Sequence, residues 1–156
     1  MRKIEPTRDN DHLLFRTVFL HAMLRASNLE RTIAFFAALG LIETRRKESE
    51  AGKYTLVFMA TSVGAPEIEL TYNWGDKEEV FAEPSRSFGH LAFAVSDIYA
   101  VCEELREKGI VVHRPPRDGR MAFVKSPDGI SVELLQKGDA LEPKEPWMSM
   151  ASVGTW

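Results

Sequence analysis

Four side chains in this sequence are of types that bind divalent metal ions, and they occur as two matched pairs. Shifting the sequence against itself by 69 residues places His21 on His90, and a shift of 64 places Glu69 on Glu133, each glutamate between apolar neighbours. Two imidazoles and two carboxylates suit Ni²⁺, Co²⁺, Zn²⁺ or Fe²⁺ and leave positions open for water or substrate. A lone strand histidine or glutamate is usually structural or faces solvent. The duplication is therefore what predicts a metal centre.

The repeat extends to the elements that must position these four residues. In each copy a strand is followed by a helix with an N-capping residue, Asn28 or Asp97. Each helix ends at a glycine, Gly40 or Gly109, and three more strands follow. The predicted strands are 19–25, 41–46, 54–60 and 67–73 in the first copy, and 89–95, 110–113, 121–125 and 130–136 in the second. The predicted fold class is α+β, with two tandem βαβββ modules.

The alternation of side chains along a strand indicates which residues accompany the predicted ligands. Residues two apart share a face, so Arg25 lies on the face of His21 and Asn73 on the face of Glu69. At about 3.3 Å per residue, Arg25 is roughly 13 Å along the strand from His21. An anion the size of a short peptide spans that distance.

The repeat also predicts how the chain is divided. We expect an N-terminal arm at 1–16, the first module at 17–75, a charged linker at 76–87, the second module at 88–137 and a C-terminal tail at 138–156. The tail carries Trp147 and Trp156 on an otherwise polar segment. We expect it to dock, with a partner subunit as one candidate surface.

Composition narrows the class of protein. One cysteine, Cys102, agrees with a reducing compartment and excludes a thiolate zinc cage. The net charge of −3 gives no general attraction to nucleic acid. No apolar run reaches the roughly 20 residues of a membrane span, and the polar N-terminus does not resemble a signal peptide. We expect a soluble, cytoplasmic protein that acts on small molecules.

The segments around the predicted ligands resemble those of the glyoxalase I family, in the vicinal oxygen chelate superfamily. The likeness covers about residues 20–136. It is carried by His-Ala-Met-Leu-Arg at 21–25, Ile-Glu-Leu-Thr-Tyr-Asn-Trp-Gly at 68–75, Phe-Gly-His at 88–90 and Ser-Pro-Asp-Gly-Ile-Ser-Val-Glu-Leu at 126–134. The Thr-Tyr-Asn-Trp-Gly run is the most specific of these segments.

The resemblance implies an assembly and a set of ligand-binding residues. It implies a homodimer with eight-stranded clefts, in which His21 and Glu69 of one chain meet His90 and Glu133 of the other. It also implies glutathione as co-substrate. The implied thiol-binding residues are Arg25, Asn73 and Arg86, with Arg117 and Arg120 as candidates for its glycyl carboxylate; three arginines at 114–120 are otherwise typical of a solvated loop.

The resemblance further implies a reaction, the isomerisation of the methylglyoxal–glutathione hemithioacetal to S-lactoylglutathione through a metal-stabilised enediolate. Glu133 is then the expected base, and Glu69 its counterpart for the other stereoisomer. Ni²⁺ or Co²⁺ is the preferred ion and Zn²⁺ the alternative. Other readings stay open: another enzyme of the superfamily such as an acyl-CoA epimerase or an extradiol dioxygenase, a metal-free binding protein of the same fold, or a different thiol such as trypanothione.

Overall fold

The protein is built from two βαβββ modules, as the repeat predicts. A computed structural model describes residues 17–77 and 87–156. The first module contains β1 (His21–Arg25), α1 (Leu29–Ala38), β2 (Ile42–Ser49), β3 (Tyr54–Ala60) and β4 (Glu67–Asn73). The second contains β5 (His90–Val95), α2 (Ile98–Glu107), β6 (Val112–Arg114), β7 (Met121–Lys125) and β8 (Ser131–Gln136).

Each module folds its four strands into one sheet of the same topology. The strand orders are β1-β4-β3-β2 and β5-β8-β7-β6. The first strand is parallel to the last in both modules, and the remaining pairs are antiparallel. The first and last strands of each repeat are therefore neighbours, although about fifty residues separate them in the sequence. This topology brings the histidine and the glutamate of each module together.

The helices begin and end where the sequence predicts. The Asn28 side chain accepts a hydrogen bond from the Arg31 amide at 3.1 Å, and the Asp97 side chain accepts from the amides of Tyr99 and Ala100. Gly40 and Gly109 follow the two helices with φ of 89° and 78°, a backbone conformation that favours glycine.

Each sheet has one buried face and one open face. Leu24, Leu70 and Val132 point into a core that also contains the apolar stripes of both helices. Residues from both modules belong to that core, which includes Phe36, Ile98 and Leu105. The predicted ligands lie on the opposite, open faces, because they alternate with the core residues along each strand.

The C-terminal tail packs on its own chain. The Trp147 side chain is 2% exposed and lies in the common core, with the Arg106 guanidinium over its ring. This corrects the suggestion of a partner subunit as the docking surface for Trp147. The burial of one indole ring explains why an irregular segment stays in place.

No helix within residues 17–77 or 87–156 combines the length and the apolar character needed to cross a membrane.

Candidate metal centre

The first predicted histidine and glutamate are in contact. His21 begins β1 and Glu69 lies in the adjacent strand β4, where its register partner is Met23. His21 Nε2 is 2.9 Å from Glu69 Oε2. The Glu69 carboxylate also lies 3.4 Å from the Thr71 hydroxyl, which donates to it. The imidazole and the carboxylate therefore form one polar pair on the open face.

The second module repeats this pair. His90 begins β5 and Glu133 lies in the adjacent strand β8. His90 Nε2 is 3.1 Å from Glu133 Oε2. In both pairs the glutamate is less exposed than the histidine. The sequence repeat is thus also a repeat of side-chain geometry.

The atoms of each pair fit a shared divalent ion. Two ligands bound at about 2.1 Å to one ion are separated by roughly 3.0–3.4 Å, for octahedral or tetrahedral angles. The Nε2–Oε2 distances of 2.9 and 3.1 Å are close to that range. Nitrogen and oxygen donors on an open face suit Ni²⁺, Co²⁺ or Zn²⁺.

Each pair is nevertheless only half of a four-ligand site. Among residues 17–77 and 87–156, no group of three or more His, Cys, Asp or Glu side chains is placed to hold a metal ion. The single chain brings His21 to Glu69 and His90 to Glu133, and it does not bring the two pairs together. A surface groove of about 660 Å³ between α1 and the second module contains none of the four residues.

A second carboxylate lies beside the first pair. Glu67 is on the same face of β4 as Glu69, and its Oε2 accepts a hydrogen bond from Arg45 Nη2 at 2.7 Å. The Arg45 guanidinium and the Thr44 hydroxyl, both bonded to this carboxylate, hold the pKa of Glu67 below its usual value. Glu67 is therefore paired with a cation rather than with an imidazole.

The residues predicted to hold the thiol have different surroundings. Arg25 is exposed at the end of β1, and the Asn73 amide donates to Asp76 at 3.1 Å. Arg117 donates to the Met150 carbonyl and the Ser152 hydroxyl of the tail. The Arg120 side chain is exposed. Arg86 lies outside the described residues, and thiol binding by all five stays a prediction.

Two phenylalanines that the sequence analysis did not single out lie against the histidines. Phe58 packs edge-on to His21 with ring centroids 6.0 Å apart, and Phe123 packs edge-on to His90 at 5.5 Å. Phe58 is the register partner of Glu69, and Phe123 that of Glu133. A shift of 65 residues aligns the two rings, so the repeat carried the signal for them.

The fold and the paired ligands define a superfamily. Residues 18–134 match the model of the Glyoxalase/Bleomycin resistance protein/Dioxygenase superfamily. The chain belongs to this superfamily, as the resemblance predicted.

The chain's relatives within the superfamily are lactoylglutathione lyases. It is 44% identical to lactoylglutathione lyase of Haemophilus influenzae over 126 residues, which cover 75% of this chain and 90% of that protein. It is 39% identical to the Escherichia coli O157:H7 enzyme over 130 residues, covering 78% and 93%. The solved trypanothione-dependent glyoxalase I of Leishmania major superposes with a TM-score of 0.72 at 32% identity, covering 78% of this chain and 87% of that one.

Proposed function

We propose that this protein is a metal-dependent lactoylglutathione lyase that isomerises the hemithioacetal of glutathione and methylglyoxal to S-lactoylglutathione. The observation that carries the proposal is the repeated His–Glu contact at equivalent places in two modules. Relatives that span nearly their full length with this chain are lactoylglutathione lyases, which favours this reaction over the epimerase and dioxygenase readings. Glutathione is the proposed thiol.

The four predicted ligands are the proposed metal-binding residues, with Ni²⁺ or Co²⁺ preferred and Zn²⁺ as the alternative. A bound divalent cation supplies Lewis-acid stabilisation of the negative charge that develops on the substrate oxygens. His21 and His90 contribute neutral nitrogen donors, and the two glutamates contribute charged oxygens. Phe58 and Phe123 limit the rotation of the imidazole rings by packing against them.

The two glutamates are the proposed proton carriers. Glu133 takes the proton from C1 of the hemithioacetal and returns it to C2, so the C1 hydroxyl becomes the thioester carbonyl and the ketone becomes a hydroxyl. Atoms and electrons balance within the substrate, and no external oxidant is needed. Glu69 does the same for the other stereoisomer. General-base catalysis of this kind contributes about 10²–10⁴-fold to the rate.

A homodimer is the proposed assembly, because the single chain carries two separate halves of the site. Among the described residues, β1 and β5 each have one strand neighbour, so each sheet has an open edge beside its histidine. Val18, Phe19 and Leu20 precede β1 and are 78%, 66% and 69% exposed. An open strand edge flanked by exposed apolar side chains is typical of an interface.

Substitution of Glu133 tests the proposed base. We expect Glu133→Gln to lower kcat for the hemithioacetal by at least about 10²-fold, because the amide cannot accept the C1 proton. Its oxygen can still coordinate, so Ni²⁺ content measured by plasma mass spectrometry should be retained. Glu107→Gln, at the exposed end of α2, is the control and should keep wild-type activity. A fully active, metal-loaded Glu133→Gln enzyme contradicts the assignment.

Metal stripping and reloading tests the dependence on a cation. We expect chelation to remove the isomerase activity, and Ni²⁺ or Co²⁺ to restore more of it than Zn²⁺. Thermal unfolding gives a second measurement, since a ligand that binds only the native state raises the midpoint. Full activity after chelation, with no metal remaining, contradicts the proposal, and an unchanged midpoint with every ion favours the metal-free binding protein.

A further inference from the structure

The aromatic rings beside the two histidines are covered by different groups. In the first module the Cζ of Arg45 lies 3.3 Å from the centroid of the Phe58 ring. In the second module the ring of Trp156 lies on Phe123, with centroids 6.4 Å apart and planes at 36°. One half-site therefore carries a cation beside its histidine, and the other carries an indole.

The C-terminal tail delivers this indole to the open face. The Val153 amide donates to the His113 carbonyl at 2.8 Å, and the Val153 carbonyl lies 2.8 Å from His113 Nδ1, so the tail adds to the edge strand β6. Arg117 holds the segment just before it. Gly154 then adopts φ of 64°, which favours glycine and turns the chain toward Phe123. The position of Trp156 is thus specified by several contacts.

Trp156 has surface available for a ligand. Its side chain packs on Phe123 and is still 45% exposed, beside the half-site that contains His90. It also lies beyond residues 18–134, the part of the chain that the superfamily model covers. The feature therefore belongs to the tail of this chain rather than to the repeated modules.

We infer that Trp156 is a specificity-determining residue, which forms an aromatic wall for the apolar substituent of the thiol adduct beside His90. This inference rests on the proposed function, because it assigns part of the same cleft. An aromatic wall favours an aryl or large alkyl group over a methyl group, since it offers area to bury. On the first module, Arg25 and Arg45 give the opposite character and suit the charged part of the thiol.

Binding of two thioethers tests the wall without requiring turnover. The probes are S-benzylglutathione and S-methylglutathione, titrated into Ni²⁺-loaded protein by calorimetry. An aromatic contact of about 0.5–1.5 kcal/mol corresponds to about 2–12-fold in Kd. We expect Trp156→Ala to weaken the benzyl probe by this factor and the methyl probe by less than about 2-fold. Trp156→Phe should restore most of the preference, and Met148→Ala, exposed on the same tail, should not change it.

A second variant separates the position of the indole from its presence. Gly154→Pro fixes φ near −65°, so it keeps Trp156 but turns it away from Phe123. We expect the same loss of benzyl preference as in Trp156→Ala. In turnover assays, KM for the phenylglyoxal adduct should rise by a similar factor with kcat within about 2-fold.

The outcomes distinguish the inference from the proposed function. A wild-type protein that prefers the benzyl probe through Trp156 but isomerises no hemithioacetal upholds the wall and refutes the lyase. Turnover of both adducts with a benzyl preference that Trp156→Ala leaves unchanged overturns the wall alone. An equal loss for both probes in Trp156→Ala also overturns it, because that result indicates a structural role.

Discussion

At the scale of single residues, the carboxylates on the open faces differ in what they contact. Glu67 and Glu69 are two residues apart on one face of β4, yet Glu67 bonds to Arg45 and Glu69 to His21. A carboxylate held by a guanidinium is stabilised as an anion and is a poor proton acceptor. A carboxylate beside an imidazole can coordinate the ion that the imidazole coordinates. The contacts therefore favour Glu69 and Glu133, rather than Glu67, as ligands and bases.

The buried thiol of α2 gives a prediction for the pH dependence of stability. Burial raises the pKa of Cys102 to about 12, whereas an unfolded cysteine titrates near pH 8.5. Between these values the folded state binds one proton more than the unfolded state, so stability falls as pH rises. From pH 8 to pH 10 this contribution falls by about 2 kcal/mol. Urea unfolding at both pH values should therefore show the stability difference between wild type and Cys102→Ala shrinking by that amount.

The comparison with Cys102→Ala is what isolates the thiol. Lysine and tyrosine side chains also titrate near pH 10, but they are common to both proteins and cancel in the difference. The chain has one cysteine, so no second thiol contributes. A stability difference that stays constant from pH 8 to pH 10 contradicts the assignment of a raised pKa to Cys102.

At the scale of elements, the repeat and the periodicity predicted both helices and all eight described strands, with errors at two strand ends. The first strand begins at His21 rather than at residue 19, because β4 begins at Glu67 and offers no ladder partner further back. Strand β6 begins at Val112 rather than at residue 110, because the Ile110 amide bonds to the Leu105 carbonyl of the ending helix. Local pattern cannot show where a neighbouring strand stops.

One contact between the modules could not be predicted from either repeat. Asp128, in the turn before β8, accepts hydrogen bonds from the amide and hydroxyl of Ser27 at the start of α1. The Thr32 hydroxyl lies 3.4 Å from the same carboxylate. The turn itself was predicted from Pro-Asp-Gly, but its partner lies about a hundred residues earlier in the chain. The relative placement of the two modules depends on such contacts.

We expect Asp128→Ala to destabilise the protein, because it removes a charged acceptor from the N-terminal end of α1. Hydrogen bonds to charged groups contribute about 1.5–3 kcal/mol, so the free energy of unfolding should fall by about 2 kcal/mol. Urea denaturation measures this. Asp139→Ala, on the exposed tail, is the matched control and should change it by less than about 0.5 kcal/mol. Equal midpoints for the two variants would refute the role of this contact.

At the scale of the whole molecule, the sequence predicted which residues form the site but not where the halves meet. The repeat selected Glu69 over Glu67, because a shift of 64 places Glu67 on Ser131 and only Glu69 on a second glutamate. Trp156 has no counterpart in the repeat, so its place beside Phe123 could not be found that way. The meeting of the two His–Glu pairs was implied by the family resemblance alone. It depends on surfaces of separate chains, which the pattern within one chain does not report.

Complementation between two inactive chains tests that meeting. One chain carries His21→Ala with Glu69→Ala, the other His90→Ala with Glu133→Ala, and each alone should be inactive. If a cleft combines the first module of one chain with the second of its partner, a mixed dimer has one cleft with all four ligands and one with none. Random mixing makes half of the dimers mixed, so co-refolding should restore about a quarter of wild-type activity. Mixed dimers isolated by two affinity tags and found inactive would show that both pairs of one site come from the same chain.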